Sequence, residues 1–385
     1  MNHRAVFQKI DELNEQYLQM WEDVCNIESP TADKAGVDAV GRYFAEAAKA
    51  RGWQVEIEPM EKAGDLVCIT LNPEAKKAPI VLSGHLDTVF PVGSFGTPAV
   101  RREGDKIYGP GVVDCKGGAV AGFYAMDALA QCGYTDRPIL LLLQTDEEVG
   151  SRLSGQATIN SICKRSEGAD AFINLEGHTK GEICIERKGI LTFHFTVEGQ
   201  EAHASKCFEV GANAILDAAH RIIELEKLKD GEGLTCCCST ISGGTTVNTV
   251  PGRCTFAANV RFATLAQRDW VCNYMEEQAA KTYVEGCRCT VTYGKGRPPM
   301  EFREQNLMLL ERIADAVERC GLPRLHRGKR RTGGSDAANV TVYGIPCVDN
   351  LGTCGGNIHT TAEWAWVESL KQSAQWLAAY ICEET

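Results

Sequence analysis

Residues 79–91 read PIVLSGHLDTVFP, a short apolar run from Pro79 to Leu82 followed at once by His85 and Asp87. Residues 139–151, ILLLLQTDEEVGS, repeat the form with a purer run, Ile139 to Leu143, that leads into Glu147 and Glu148. Short apolar runs bounded by turn residues predict buried strands. Side chains that carry chemistry at such strand ends predict an α/β sheet with its site at the strand termini. Working outward, Ala171–Leu175 is another buried run and ends on Glu176. Asp114 lies in GPGVVDCKGG and His359 in NIHTTAEW. Two histidines and several carboxylates without cysteine form a nitrogen and oxygen ligand set, which suits catalytic zinc with open positions better than a closed structural site.

Composition narrows the setting. A chain of 385 residues exceeds one ordinary domain, so two are expected. A formal net charge of −11 argues against nucleic-acid binding, which needs a basic surface. The opening stretch MNHRAVFQKIDELNEQ has no apolar core of a secretory signal, and no apolar run reaches bilayer length. The expectation is a cytoplasmic protein, off the membrane, with its 18 cysteines reduced. Cys236, Cys237 and Cys238 are consecutive on a strand and cannot all face one ion. Cys287 and Cys289 form C-x-C, and no C-x-x-C pair exists. The cysteines therefore read as small buried or half-buried hydrophobes.

Periodicity sets the organisation. Helices are expected over 6–27 and Asp33–Arg51, with strands at Gln54–Glu58, Leu66–Leu71 and Ile80–Ser83 and a small-residue helix after Lys116. The character then changes to an alternating strand through Leu191, Phe193, Phe195 and Val197. There follow a helix over Ala212–Leu228, strands at Cys236–Ile241 and Cys254–Phe262, a helix over Gln267–Tyr283 and a strand at Cys289–Tyr293. That β-α-β-β-α-β order is the ferredoxin-like arrangement. After Pro298 and Pro299 the α/β character returns, with helices at about 304–320 and 363–381. The fold class is α/β: a discontinuous domain in segments 1–187 and 297–385, with an α+β ferredoxin-like domain, 188–296, inserted between them.

Taken singly, each candidate keeps an alternative. His85 and Asp87 lie two apart on an extended segment and face one side, so they could ligate jointly or Asp87 could orient His85. Asp114, among glycines 109, 111, 117 and 118, could bridge two cations or cap the following helix. Adjacent Glu147 and Glu148 diverge on leaving a strand, so one could ligate while the other holds the attacking water, or both could form a solvated turn. His178 reads as structural or solvent-facing beside Thr179 and Lys180, and His3, His194, His220 and His326 show no partner pattern. Arg327, Lys329, Arg330 and Arg331 read as a solvated basic loop.

The ordered set SGHLDTVFP, GPGVVDCKGG, TDEEVGS, NLEG, GQEAHAS, NTVPG, GGSDA and NIHTTAE resembles one family across nearly the whole chain. This is the di-zinc aminoacylase, glutamate carboxypeptidase and succinyl-diaminopimelate desuccinylase superfamily of metallopeptidases, particularly its glutamate carboxypeptidase-like and tripeptidase-like members. The resemblance implies a zinc-peptidase catalytic domain with the insert as a dimerisation lid. One zinc would be held by His85 and Glu176 and the other by Glu148 and His359, with Asp114 bridging. Glu147 would be the general base and Asp87 would orient His85. His203 would reach the neighbouring subunit's active site and stabilise the oxyanion. Asn248 and Arg261 would hold the substrate carboxylate, and Gly334 would line the cleft. A cis peptide at Asp114–Cys115 is also implied. Cys115 and Asn259 depart from the family's usual Met or Ser and Asp, which bears on substrate preference.

The expected activity is hydrolysis of an amide or peptide bond in a small substrate with a free carboxylate, by metal-activated water and a glutamate base. Two zinc ions, or cobalt or manganese, would be the cofactors, and the protein would be a homodimer through the lid. An N-acyl-amino-acid deacylase or dipeptidase on the same site is the nearest rival. A binding or assembly protein that kept the fold is the rival from another class.

Overall fold

The computed structural model describes residues 1–231 and 233–383, so the last two positions of the expected segment 297–385 lie outside the described residues. The chain divides into two compact units. One comprises Met1–Ile185, Phe302–Lys329 and Ser335–Thr385, and the other Glu186–Glu301 with Arg330–Gly334.

The first unit is built on a six-stranded sheet in the order Gln54–Glu58, Leu66–Leu71, Ile139–Gln144, Ile80–His85, Ala171–Asn174, Cys347–Val348. Ile80–His85 runs parallel to both Ile139–Gln144 and Ala171–Asn174. Central parallel strands are covered on both faces, which is why these runs are apolar without alternation. The register sets His85 opposite Gln144 and Ser83 opposite Asn174. His85, the turn with Glu147 and Glu148, and Glu176 therefore leave the sheet at one edge.

Helix Lys116–Gln131 is buried from Lys116 to Leu129. It packs between the sheet and helices His3–Asn26 and Val367–Glu383. A helix apolar on all sides belongs in a core. Its small residues let it come close: a Cβ on Gly118 would lie 1.9 Å from the Leu175 carbonyl oxygen, so only glycine fits under that strand end. Tyr17 stacks on Tyr124 at 4.2 Å and donates to Asp127 at 2.6 Å, which fixes the first helix against this one.

The helix expected at 363–381 begins at Val367. Trp364–Trp366 is instead a strand, paired with Lys106–Tyr108 in a small four-stranded sheet. The alternating aromatics give Lys106 a seat, with its ammonium 4.1 Å from the Trp364 ring centroid. Helices Ala157–Arg165 and Asp336–Val342 are additions to the expected elements.

The second unit holds strands Gly189–Glu198, Thr235–Gly243, Arg253–Phe262 and Arg288–Tyr293, with helices Ala214–Leu225 and Leu265–Ala280. All pairings are antiparallel, and the first and third strands lie side by side at the centre, as in a ferredoxin-like sheet. Inward residues alternate along Gly189–Glu198, and Phe195 stacks on Phe256 at 4.6 Å. Backbone bonds from Arg331 to Glu186 and from Lys188 to Arg331 tie Arg330–Gly334 to this unit. The basic loop is thus partly engaged rather than only solvated: Arg330 meets the Glu186 carboxylate at 2.7 Å.

Among the described residues no helix is long and apolar enough to cross a membrane. The cysteines are all free thiols, and most are buried or half-buried, though Cys207 and Cys237 are exposed.

Candidate metal centre

His85 is the last residue of its strand. Its Nδ1 lies 2.9 Å from the Asp87 carbonyl oxygen and 3.4 Å from the Asp87 carboxylate. That leaves Nε2 facing Asp114 Oδ1 at 3.0 Å and Glu176 Oε1 at 3.7 Å. The Asp87 carboxylate accepts from the Thr31 hydroxyl at 2.7 Å and from the backbone N–H groups of Glu147 and Glu148 at 3.1 and 3.2 Å. Asp87 stands on the far side of the ring and holds the turn that carries both glutamates.

The other oxygen of Asp114, Oδ2, lies 3.1 Å from His359 Nε2, which is also 3.2 Å from Glu148 Oε2. His359 adopts a positive φ of 61° in its loop. The arrangement is two-sided: one carboxylate, Asp114, presents each oxygen to a different imidazole, and each imidazole has a further glutamate beside it. Ligand atoms of His85, Asp114 and Glu148 lie within 4.8 Å of one another, as do those of His85, Cys115 and Glu176.

The charges at this edge are tightly linked. Burial raises the Glu148 carboxyl to about 7, with Asp114 and Glu147 adding to it and His359 opposing. Burial likewise holds Glu176 well above the usual carboxylate range, helped by Asp114. Burial opposes ionisation of Asp114, but its contacts with His359 and His85 hold it low. Those contacts with Asp114 and Glu148 in turn raise His359 to about 10. Burial works against the His85 imidazolium, yet neighbouring negative groups keep it well above its ordinary value. Several carboxylates crowded at a buried strand edge, with histidine nitrogens turned inward, have the donor chemistry of a divalent-cation site.

Two buried groups without an assignment in the sequence support this edge. Lys116 donates to the carbonyls of Val24 and Ile27 at 3.2 and 2.8 Å, capping the end of the first helix. Glu363 accepts backbone N–H groups of Gly111, Val113 and Asp114. Its motif was visible, but a carboxylate serving only backbone amides leaves no spacing signal. Asp114–Cys115 is a cis peptide, and the Cys115 thiol points to the Leu175 carbonyl at 3.1 Å.

The remaining candidates belong to the second unit. His203 is exposed, with Nδ1 2.8 Å from the Ser205 hydroxyl. It pairs with Thr249 in a two-residue ladder, and the Asn248 carbonyl accepts from Ala204, so His203 and Asn248 are neighbours. Arg261, near the end of its strand, donates to the Thr332 carbonyl. Gly334 lies against Arg297, whose Cδ a Cβ would meet at 2.7 Å.

His178 is not on an exposed turn. It is buried, accepts from Gly181 N–H at 3.0 Å and packs 4.9 Å from the Trp376 ring, a partner far along the chain. His3 lies near Cys320 and Glu383 in a further cluster, away from the other two, where Arg319 pairs the carboxylate at 2.8 Å.

Comparison with known proteins places these residues in context. The chain is 26% identical over 386 residues to carboxypeptidase G2 of Pseudomonas sp. (strain RS-16), covering 98% of this chain and 92% of the relative. Aminopeptidase PepT from Bacillus cereus superposes with a TM-score of 0.79 at 23% identity, covering 96% of this chain and 98% of the other. A dinuclear metal-binding peptidase of the M20 family from Bacillus subtilis superposes with a TM-score of 0.70 at 16% identity, covering 97% and 99%. These likenesses show the fold. The model of peptidase family M20/M25/M40 matches residues 81–383.

Proposed function

The chain belongs to peptidase family M20/M25/M40, a family of metal-dependent hydrolases, and we propose that it is a two-metal exopeptidase of carboxypeptidase type. Its substrate would be a small peptide or N-acyl amino acid with a free carboxylate beside the scissile amide. The observation that carries this reading is the division of Asp114: Oδ1 at 3.0 Å from His85 and Oδ2 at 3.1 Å from His359, each with its own glutamate. Likeness to a carboxypeptidase over 98% of the chain supports the substrate class.

His85 and Glu176 would hold one zinc, Glu148 and His359 the other, and Asp114 would bridge them. Bound ions of this kind supply Lewis acidity toward a carbonyl and an acidified water. Glu147, fixed through its N–H to Asp87, would take the proton and return it to the leaving amine. Asp87 would keep His85 in the tautomer that turns Nε2 inward. Arg261 and Asn248 would bind the substrate carboxylate, Arg261 by its planar fork. Gly334 would leave room at the cleft. His203 would donate to the developing oxyanion in a partner subunit's site.

Pairing of subunits through the insert is supported by its surface. Ile215, Leu216 and Ile223 on one helix and Ile241 on the edge strand Thr235–Gly243 are exposed, and Ile215 lies beside Gly244 at that strand's end. Exposed apolar side chains beside an open edge strand suit a second copy.

The test is turnover of N-acyl amino acids, dipeptides and C-terminal glutamyl amides by protein loaded with zinc, cobalt or manganese. Release of the C-terminal residue from peptides supports the proposal. Cleavage confined to N-acyl amino acids moves the assignment to a deacylase. Bound metal with no turnover of any class would overturn it in favour of a binding protein.

A further inference from the structure

Glu363 has no part in the proposed chemistry, yet it is fully buried. Its Oε1 accepts the N–H groups of Val113 at 2.8 Å and Asp114 at 3.1 Å, and its Oε2 accepts that of Gly111 at 3.2 Å. Its own carbonyl accepts from Gly109 at 3.3 Å, and its N–H donates to Thr360 at 3.0 Å. The loop Gly109–Asp114 thus wraps its amides around one carboxylate, in the manner of an anion nest. Gly111 makes the wrap possible through its φ of 80°, in the left-handed region. The carboxylate belongs to the same short turn as His359.

We propose that Glu363 is a positioning residue for the metal centre: a buried strut that locks the Asp114 loop to the His359 turn. The Gly109–Glu363 backbone bond and the Tyr108–Trp364 pairing fasten the bases of the two loops, and the Glu363 carboxylate carries the fastening on to Asp114, whose Oδ2 lies 3.1 Å from His359 Nε2. The inference rests on the reading of Asp114 and His359 as metal-holding residues. It adds that their spacing is set from behind, through backbone amides, by a residue that touches neither ion nor substrate.

The test compares full-length Glu363→Gln and Glu363→Asp with wild type, all loaded with Co(II). The two readings are cobalt affinity, by chelator competition, and the visible ligand-field spectrum. Glu363→Gln keeps size but turns an amide NH2 toward N–H donors, and Glu363→Asp keeps charge but withdraws the carboxylate by one methylene. Each should weaken cobalt retention by about 10–100-fold, the usual cost of losing an outer partner of a metal ligand, and alter the spectrum. A role confined to folding would lower the melting temperature and leave affinity and spectrum unchanged, and that result overturns the proposal. Should neither variant fold, hydrogen exchange in metal-free wild type decides. Protected amides at Gly111, Val113 and Asp114 support the strut, and freely exchanging ones remove it. Wild type that binds no cobalt would defeat the metal-centre reading itself, whereas tight wild type with equally tight variants defeats only the role of Glu363.

Discussion

The Nδ1 of His85 meets Asp87 first through the backbone, at 2.9 Å from the carbonyl oxygen, and only at 3.4 Å through the carboxylate. The carboxylate has other work, because it accepts from Thr31 and from the N–H groups of Glu147 and Glu148. Asp87→Asn should therefore leave the His85 ring in place and loosen the glutamate turn. Hydrogen bonds to a charged group contribute about 1.5–3 kcal/mol each, so kcat should fall by about 10–100-fold with both metals retained. Steady-state kinetics with elemental analysis checks this. Loss of a metal would mean that Asp87 acts mainly through His85.

Glu147→Gln should abolish turnover and keep the full metal content, because the amide cannot take a proton and Glu147 stands outside both close ligand groups. If elemental analysis shows about one metal fewer per subunit, Glu147 is a ligand and the base must be sought elsewhere.

His203→Ala and Glu147→Gln should each be inactive alone. Losing one oxyanion donor costs about 10²–10³ in rate. Mixed under conditions that exchange subunits, the two should recover activity, since one composite site per heterodimer would be intact. Proven heterodimers without recovery would place His203 in its own chain's site or outside catalysis.

Arg261→Lys should lower kcat/KM for a free-acid substrate sharply, because a lysine cannot reproduce a bidentate fork. The same substrate with its carboxylate amidated should already be poor for wild type. Equal rates for acid and amide in wild type would remove Arg261 from carboxylate recognition.

Chelation should destabilise the first unit and make its stability depend on pH. An ion present at about a hundred times its Kd stabilises a fold by about 2.7 kcal/mol, which removal forfeits. In the metal-free protein, Glu148 is raised from 4.5 to about 7 and His359 from 6.5 to about 10. A folded-state pKa above the unfolded value gives stability that is present below the unfolded value and is lost as pH climbs through the folded one. Thermal melts of chelated protein should thus fall from about pH 5 to about pH 8, through Glu148 and the likewise raised Glu176, while loaded protein changes little. A flat profile in the chelated protein would contradict the crowding at this edge.

Much of this centre was legible because its residues obey signals that a sequence carries locally. Ile80–Leu82 and Ile139–Leu143 read as covered strands, and side chains just beyond the ends of parallel strands emerge on one edge of the sheet. The ferredoxin-like insert was legible for the same reason, since Leu191, Phe193, Phe195 and Val197 alternate cleanly. The features that stayed hidden depend on partners far away in sequence. Trp364–Trp366 becomes a strand because Lys106–Tyr108 offers it an edge, and nothing near residue 364 announces that edge. His178 looks exposed beside Thr179 and Lys180 until Trp376 covers it. The hydrogen bonds of Asp87 were hidden too, because its oxygens are engaged by Thr31 and by two amides about 60 residues further along the chain.

The interruption of the first unit by the second has a consequence for how the protein comes into being on the ribosome. His85, Asp114, Glu148 and Glu176 all emerge before the insert, whereas His359 and Glu363 emerge only after it, as do the edge strand Cys347–Val348 and the covering helix Val367–Glu383. The insert, contiguous but for one short loop, is free to fold while the rest of the molecule is still waiting for its closing pieces. For most of synthesis the nascent chain carries acidic side chains at a half-built sheet edge with no second imidazole to complete the pocket. By the assignment proposed above, the ion shared by Glu148 and His359 would therefore be captured late in biogenesis, once the stretch that follows the insert has arrived.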